Sequence, residues 1–359
     1  MKTRAIVKIV LCCLVALLLC AMLSGGISMI TYYNDTGSLL YEKADYPHYP
    51  ERVLYDVNRT LTSGNDVMRN LGQWTLGDYS DYEVGNVEFS HSDLRGIQTI
   101  DIEWDAGTVT VKSYDGYTLQ VLEAGSKDED DALRYKLEDG VLRIRSRRQW
   151  QFFSFGSSAK ALTVLVPSNM ELANLELSTA SAKTEVNAMQ VGKLEISTAS
   201  GDIRLLSSRA DSLTVDTASG SVNASDCKID FADIDSASGD FIAENSRVSE
   251  LHFSSASGKV SLSGRTNVVD FDSASGDMIL HLANCPSKIE VETVSGDCKI
   301  SIPSDSGFRA ELDSVSGDLS VRGFPWTDGG GNFVICGDGI AEYDFESVSG
   351  DVEIQSGTP

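Results

Sequence analysis

Glycine returns to the same phase of this chain again and again, at Gly201, Gly220, Gly239, Gly258, Gly276, Gly296, Gly317 and, after a longer gap, Gly350. The successive steps are 19, 19, 19, 18, 20, 21 and 33 residues, and Ala182 fills the same slot 19 residues before the first. The repeat reaches well beyond the glycine. Five residues before it stand Ile196, Val215, Ile234, Phe253, Phe271, Val291, Leu312 and Phe345, and two residues after it Ile203, Val222, Phe241, Val260, Met278, Cys298, Leu319 and Val352. Positions seven before and four after are apolar as well, so each repeat carries period-2 alternation on both sides of a bend.

A unit of about 19 residues cannot bury its own apolar face, but a stack of such units builds one continuous core. Short strands joined by bends, with no helical period, predict an all-β chain: a parallel β-solenoid with about 19 residues per coil. Eight coils would rise roughly 40 Å at the spacing of neighbouring strands. The corner glycine is expected to supply a positive φ or a tight bend. A Ser or Thr always stands three residues before it, from Thr198 to Ser347. These hydroxyls are expected to align as a hydrogen-bonded ladder along the corner.

Less regular β units precede the repeats. Ile100, Ile102 and Trp104, then Gly107, then Val109 and Val111 read as strand, turn, strand, and Leu133 to Ile144 reads as a hairpin around Asp139-Gly140. Residues 97–160 are therefore the N-terminal β units and 161–322 the regular coils. The aromatic run 147–156 reads as a hydrophobic plug, with an exposed contact patch as the other reading. Residues 323–341 lengthen one repeat and read as a protruding loop or hairpin, with Phe324 and Trp326 as candidate contact residues; a cap over the end of the core is the other reading. Residues 342–359 form the last coil, whose exposed edge could receive another chain.

From Ile9 to Ile30 no residue is charged. A helix of that length spans about 33 Å, enough for a bilayer core. Lys2, Arg4 and Lys8 precede it, which predicts a cytoplasmic tail at 1–8, a transmembrane anchor at 9–30, a stalk or cap at 31–96 and a C-terminal domain outside the membrane. Cys20 follows Leu17, Leu18 and Leu19 rather than a small residue, and no Ala-x-Ala site closes the run, so an uncleaved anchor is preferred over a signal peptide.

The chain carries 29 Lys and Arg against 53 Asp and Glu, a formal charge of -24. Such a field repels phosphate backbones and argues against nucleic acid as a partner, while cationic surfaces and divalent ions are compatible with it. Asp follows the corner glycine at Asp202, Asp240, Asp277, Asp297, Asp318 and Asp351, interrupted by Ser221 and Lys259. Asp beside Gly is an ordinary turn residue. Stacked carboxylates also suit weak Ca²⁺ binding, for which Asp240, Asp277, Asp297 and Asp318 are the candidates. His48, His91, His252 and His281 share no metal-ligand spacing, and no nucleophile elbow or phosphate loop occurs. No catalytic residues, confident metal site or cofactor are expected. The seven cysteines show no C-x-x-C pair; Cys298 falls on an apolar position, and a Cys227–Cys285 or Cys285–Cys336 bridge stays open.

The Ile100–Val111 unit, the Val164-Leu165-Val166-Pro167 step and the recurring Ser/Thr-x-Ser-Gly-Asp turns resemble a bacterial candidate-adhesin domain of unknown function, found in proteins related to LiaG and YvlB, over roughly residues 97–355. The resemblance implies a surface protein of a Gram-positive cell and brings no catalytic residues. Its partners would be an envelope protein, a wall polymer or a host surface ligand. The alternative it implies is an accessory in envelope-stress sensing, acting through a membrane partner; a polysaccharide-acting enzyme is the third reading.

Overall fold

In the computed structural model the described residues are Tyr79, 81–126, 132–146, 160–328 and 332–357. They belong to one compact unit, Ser63–Pro359. The expected tail, anchor, most of the stalk and the aromatic run lie outside the described residues. Among the described residues no helix is long and apolar enough to cross a membrane.

The described residues are all-β apart from one helical turn. Its first group is β1 (Glu83–Val84), β2 (Val87–Phe89), α1 (His91–Leu94), β3 (Thr99–Trp104), β4 (Gly107–Tyr114), β5 (Leu119–Ala124), β6 (Arg134–Glu138), β7 (Val141–Arg145) and β8 (Lys160–Pro167). The repeats supply β9 (Leu172–Thr179), β10 (Lys183–Asn187), β11 (Gln190–Thr198), β12 (Ile203–Leu206), β13 (Arg209–Thr217), β14 (Val222–Ser225) and β15 (Lys228–Ser236). They continue with β16 (Phe241–Ser255), β17 (Val260–Arg265), β18 (Val268–Ser273), β19 (Met278–Leu282), β20 (Lys288–Thr293) and β21 (Cys298–Ile302). The last group is β22 (Phe308–Ser314), β23 (Leu319–Arg322), β24 (Trp326–Asp328), β25 (Phe333–Cys336), β26 (Ala341–Ser347) and β27 (Val352–Ser356).

Strands before the corner stack on one another in parallel. They form the ladder β7-β3-β9-β11-β13-β15-β16-β18-β20-β26-β22. Strands after the corner form β8-β4-β10-β12-β14-β16-β17-β19-β21-β27-β23, the long β16 serving both ladders. Register follows the repeat: Leu194 pairs with Leu213, Leu213 with Ala232, and Ala232 with Leu251. One-residue slips would turn every apolar side chain outward, so this alternation holds the register. Phe253 and Phe271 are both buried, their rings stacked at 5.7 Å across adjacent layers.

The order of layers departs from the order of sequence at both ends. The coil of Gly317 does not sit on that of Gly296; β20 pairs with β26, and β26 with β22. The coil expected to be last, 342–359, is therefore an inner layer, and 308–322 is the end layer. The insertion makes this exchange, since β24 and β25 pair antiparallel and β25 lies on β22 before the chain turns back beneath it. At the other end the β3–β4 layer lies between β9–β10 and β7–β8. Antiparallel strands close that end, β5 on β8 with β2 beyond it, and β6 on β7 with β1 beyond it.

Candidate functional site

The corner column holds most of the residues the sequence singles out. Its glycines are required by close approach between layers, not by a positive φ: a Cβ at Gly220 would stand 2.1 Å from the Gly201 carbonyl oxygen, and one at Gly276 1.8 Å from that of Gly258. The preceding hydroxyls are spent inside their own turns. Gly201 N–H donates to Thr198 Oγ1 at 2.9 Å and Gly239 N–H to Ser236 Oγ at 2.6 Å, and the same bond recurs at Gly220, Gly258, Gly276, Gly296, Gly317 and Gly350. The expected ladder of hydroxyls is replaced by this turn bond, which satisfies a buried N–H the corner would otherwise orphan. Thr179 to Thr198, at 2.9 Å, is a contact between layers.

The aspartates after the glycines do bridge layers. Asp240 Oδ1 accepts Lys259 N–H at 2.9 Å, Asp277 Oδ1 accepts Asp297 N–H at 3.3 Å, Asp297 Oδ1 accepts Asp351 N–H at 3.1 Å, and Asp351 Oδ1 accepts Asp318 N–H at 3.0 Å. Of the four candidates for Ca²⁺, Asp297 and Asp318 are thus separated by Asp351, and Lys259 stands between Asp240 and Asp277. Lys259 Nζ reaches Asp277 Oδ2 at 2.8 Å, and that hydrogen bond holds the Asp277 carboxyl below its ordinary range. Among the described residues no group of three or more His, Cys, Asp or Glu side chains is arranged to hold a metal ion.

Phe324 is buried, its ring edge-on to Phe308 at 5.3 Å between centroids, so it closes the core end instead of presenting a contact. Trp326 lies in β24, opposite Cys336. The described cysteines Cys227, Cys285, Cys298 and Cys336 are free thiols. Burial pushes the Cys298 thiol up to about 12 and that of Cys336 up to about 11.

A surface the sequence reading did not single out is the outward face of the first ladder. One column reads Glu176, Glu195, Thr214, Asp233, His252, Asp270, Glu290, Asp344 and Glu311 from layer to layer. Its neighbour reads Ser178, Ser197, Asp216, Asp235, Ser254, Asp272, Glu292, Glu346 and Asp313. From β9 to β22 neither holds a Lys or Arg; beyond β9 they run through Asp101 to Arg143 and through Glu103 to Arg145. Toward the end layer both columns are wholly acidic, as Asp270/Asp272, Glu290/Glu292, Asp344/Glu346 and Glu311/Asp313. Carboxylates there recur about 4.8 Å apart between layers and about 7 Å along each strand. Burial and the nearby Asp101 and Glu195 raise the Glu176 carboxyl above its ordinary value. Basic residues edge the array: Lys288 bonds Glu290 at 2.5 Å and Arg309 bonds Glu342. The signal was present in the sequence, since these acids stand six and four residues before Gly276, Gly296, Gly350 and Gly317.

Residues 97–355 match the model of the family described as Toastrack DUF4097. The chain belongs to the toastrack family. No curated protein matches it. Among solved structures it is similar to a candidate cell-adhesion protein from Clostridium sporogenes, at 10% identity over 77% of this chain and 100% of that one, with a TM-score of 0.27. A candidate lipid-binding protein from Parabacteroides distasonis shares 16% identity over 77% and 96%, with a TM-score of 0.39. A candidate adhesin from Bacteroides fragilis shares 11% over 76% and 97%, with a TM-score of 0.30. The match of this toastrack chain to its family covers both ladders and leaves β1, β2 and α1 outside it.

Proposed function

We propose that this toastrack protein is a non-catalytic binding protein displayed outside the membrane, a β-solenoid whose acidic face engages cationic groups on an envelope protein, a wall polymer or a host surface. The observation that carries the reading is the paired acidic columns from Asp270/Asp272 to Glu311/Asp313, two carboxylates in each of four successive layers. Regular carboxylates on a flat β face suit a polymer with repeating positive charges, because each layer offers the same contact one step along. The uncharged run Ile9–Ile30 supports display from a membrane anchor, with the N-terminus in the cytoplasm. The quoted turn motifs support kinship with the LiaG- and YvlB-related proteins.

The test is binding of the full chain to a panel of polycationic and neutral polymers over a range of salt. Retention of polycations that fades with salt is expected. Neutralising the array, with Asp270→Asn, Glu290→Gln, Asp344→Asn and Glu311→Gln together, should abolish it. Unchanged binding by that variant would remove the acidic face from the reading.

A further inference from the structure

We propose that two copies of this chain pair through β23, antiparallel and centred on Ser320. On one side β23 pairs with β27; among the described residues its other edge carries no strand. The remaining ladder ends are all covered, β7 by β6, β8 by β5 and β22 by β25. Asp318 C=O accepts Val352 N–H at 3.0 Å and Asp318 N–H donates to Asp351, so residue 318 faces the layer beneath. Strand alternation then turns the N–H and C=O groups of Leu319 and Val321 to the open edge. Leu319 and Val321 are only half-buried, whereas Val352 and Ile354 in the next layer are 2% and 0% exposed. Val315, at the same end, is 62% exposed.

The residues of this edge name its occupant. Asp318-Leu319-Ser320-Val321-Arg322 runs acid, apolar, polar, apolar, base, an order complementary to its own reverse. A twofold axis at Ser320 places Leu319 opposite the partner's Val321 as a hydrogen-bonded pair, with both side chains turned to the core. Asp318 then faces the partner's Arg322, and Ser320 meets the partner's Ser320 in a non-hydrogen-bonded pair at a Cα separation of about 4.5 Å. This is an isologous contact. Arg322 is available for it, because its side chain is 71% exposed even while Nη1 lies 2.8 Å from Glu353. β25 covers Phe308–Glu311 of β22 with β24 beyond it, and the twofold reversal sets the two insertions at opposite ends of the joint. For a chain of formal charge -24, an Asp–Arg pair on each side of the axis offsets the general repulsion where the copies touch.

The test is symmetric disulfide trapping in the full chain, held in detergent. Ser320→Cys should give a covalent dimer under mild oxidation, well above unsubstituted protein and above Ser257→Cys, an exposed corner position in mid-stack. In the Ser320→Cys background, Asp318→Arg alone and Arg322→Asp alone should each lower the yield, and the two together should restore it. Matched melting curves show that each variant is folded. A Ser320→Cys yield no higher than that of Ser257→Cys, or a double variant that fails to recover, would overturn the proposal. Loss of polycation binding with the dimer intact would strike only the acidic-face reading.

Discussion

Gly317 stands directly on Gly350, 33 residues later in the chain, and not on Gly296: a Cβ at Gly317 would lie 2.0 Å from the Gly350 carbonyl oxygen. Gly350 in turn stands on Gly296, also at 2.0 Å. Its layer is gripped from both sides, although the chain ends nine residues later. Gly350→Ala should therefore cost as much as a mid-stack change such as Gly276→Ala, roughly 1–3 kcal/mol. Denaturant unfolding checks this. Hydrogen exchange offers a second check: Ile354 should be protected like Ile300.

At the opposite end Lys160 Nζ lies 3.0 Å from Glu123 Oε1, with side chains 4% and 2% exposed. Glu123 Oε2 accepts Leu133 N–H at 2.7 Å, and the ammonium stands 5.9 Å from the Trp104 ring centroid. Lys160→Met would leave a buried carboxylate without its cation and should destabilise the domain by about 3–5 kcal/mol. The paired change Lys160→Met with Glu123→Leu should recover much of that loss. Thermal or chemical melts of the three proteins decide it.

Cys227 occupies a place that its neighbouring layers give to serine. Ser208 Oγ donates to Leu206 C=O and Ser246 Oγ to Glu244 C=O, both at 2.8 Å, while Cys227 Sγ reaches Ser225 C=O at 3.3 Å. Cys227→Ser should keep this bond in shorter form and change stability by less than about 1.5 kcal/mol. Burial raises the Cys227, Cys298 and Cys336 thiols. Alkylation of the folded domain should accordingly reach half-buried Cys285 before these three, as mass mapping would show.

Glu176 supplies the pH prediction. Its carboxyl is raised, first by burial and then by Asp101 and Glu195. A raised carboxyl contributes stability that is complete below its unfolded value and is lost as pH rises through its folded value. At neutral pH the charged form is a net burden on this face. Glu176→Gln should raise the melting temperature near pH 7, and the gain should vanish below about pH 4, where both side chains are neutral. Paired melts across that range test the sign.

The alternation around each corner made the strands, the inward columns and the parallel register legible, because burial acts alike in every repeat; Phe271 is one case. The order of the last layers was not legible. Ser314-Val315-Ser316-Gly317-Asp318 and Ser347-Val348-Ser349-Gly350-Asp351 are the same five residues, so either would satisfy the layer of Gly296 equally well. What decides is the path of β24 and β25, a tertiary matter. The corner hydroxyls were placed correctly but given the wrong acceptor role, since a turn's own N–H is nearer than the next layer. The acidic columns are legible as pairs of acids six and four residues before the glycine, on the outward positions of the strand.

The interleaved ends give the domain a mechanical character. A pull on the chain from the side of β1 and β2 first frees those two border strands, each paired with one neighbour, and then loads β3, which is hydrogen-bonded on one edge to β7 and on the other to β9. Such a strand cannot be peeled from a border one bond at a time. It must be drawn lengthwise from between two neighbours, with both rows of bonds sharing the load, and a tether attached there would pull against the stiffest direction the stack possesses.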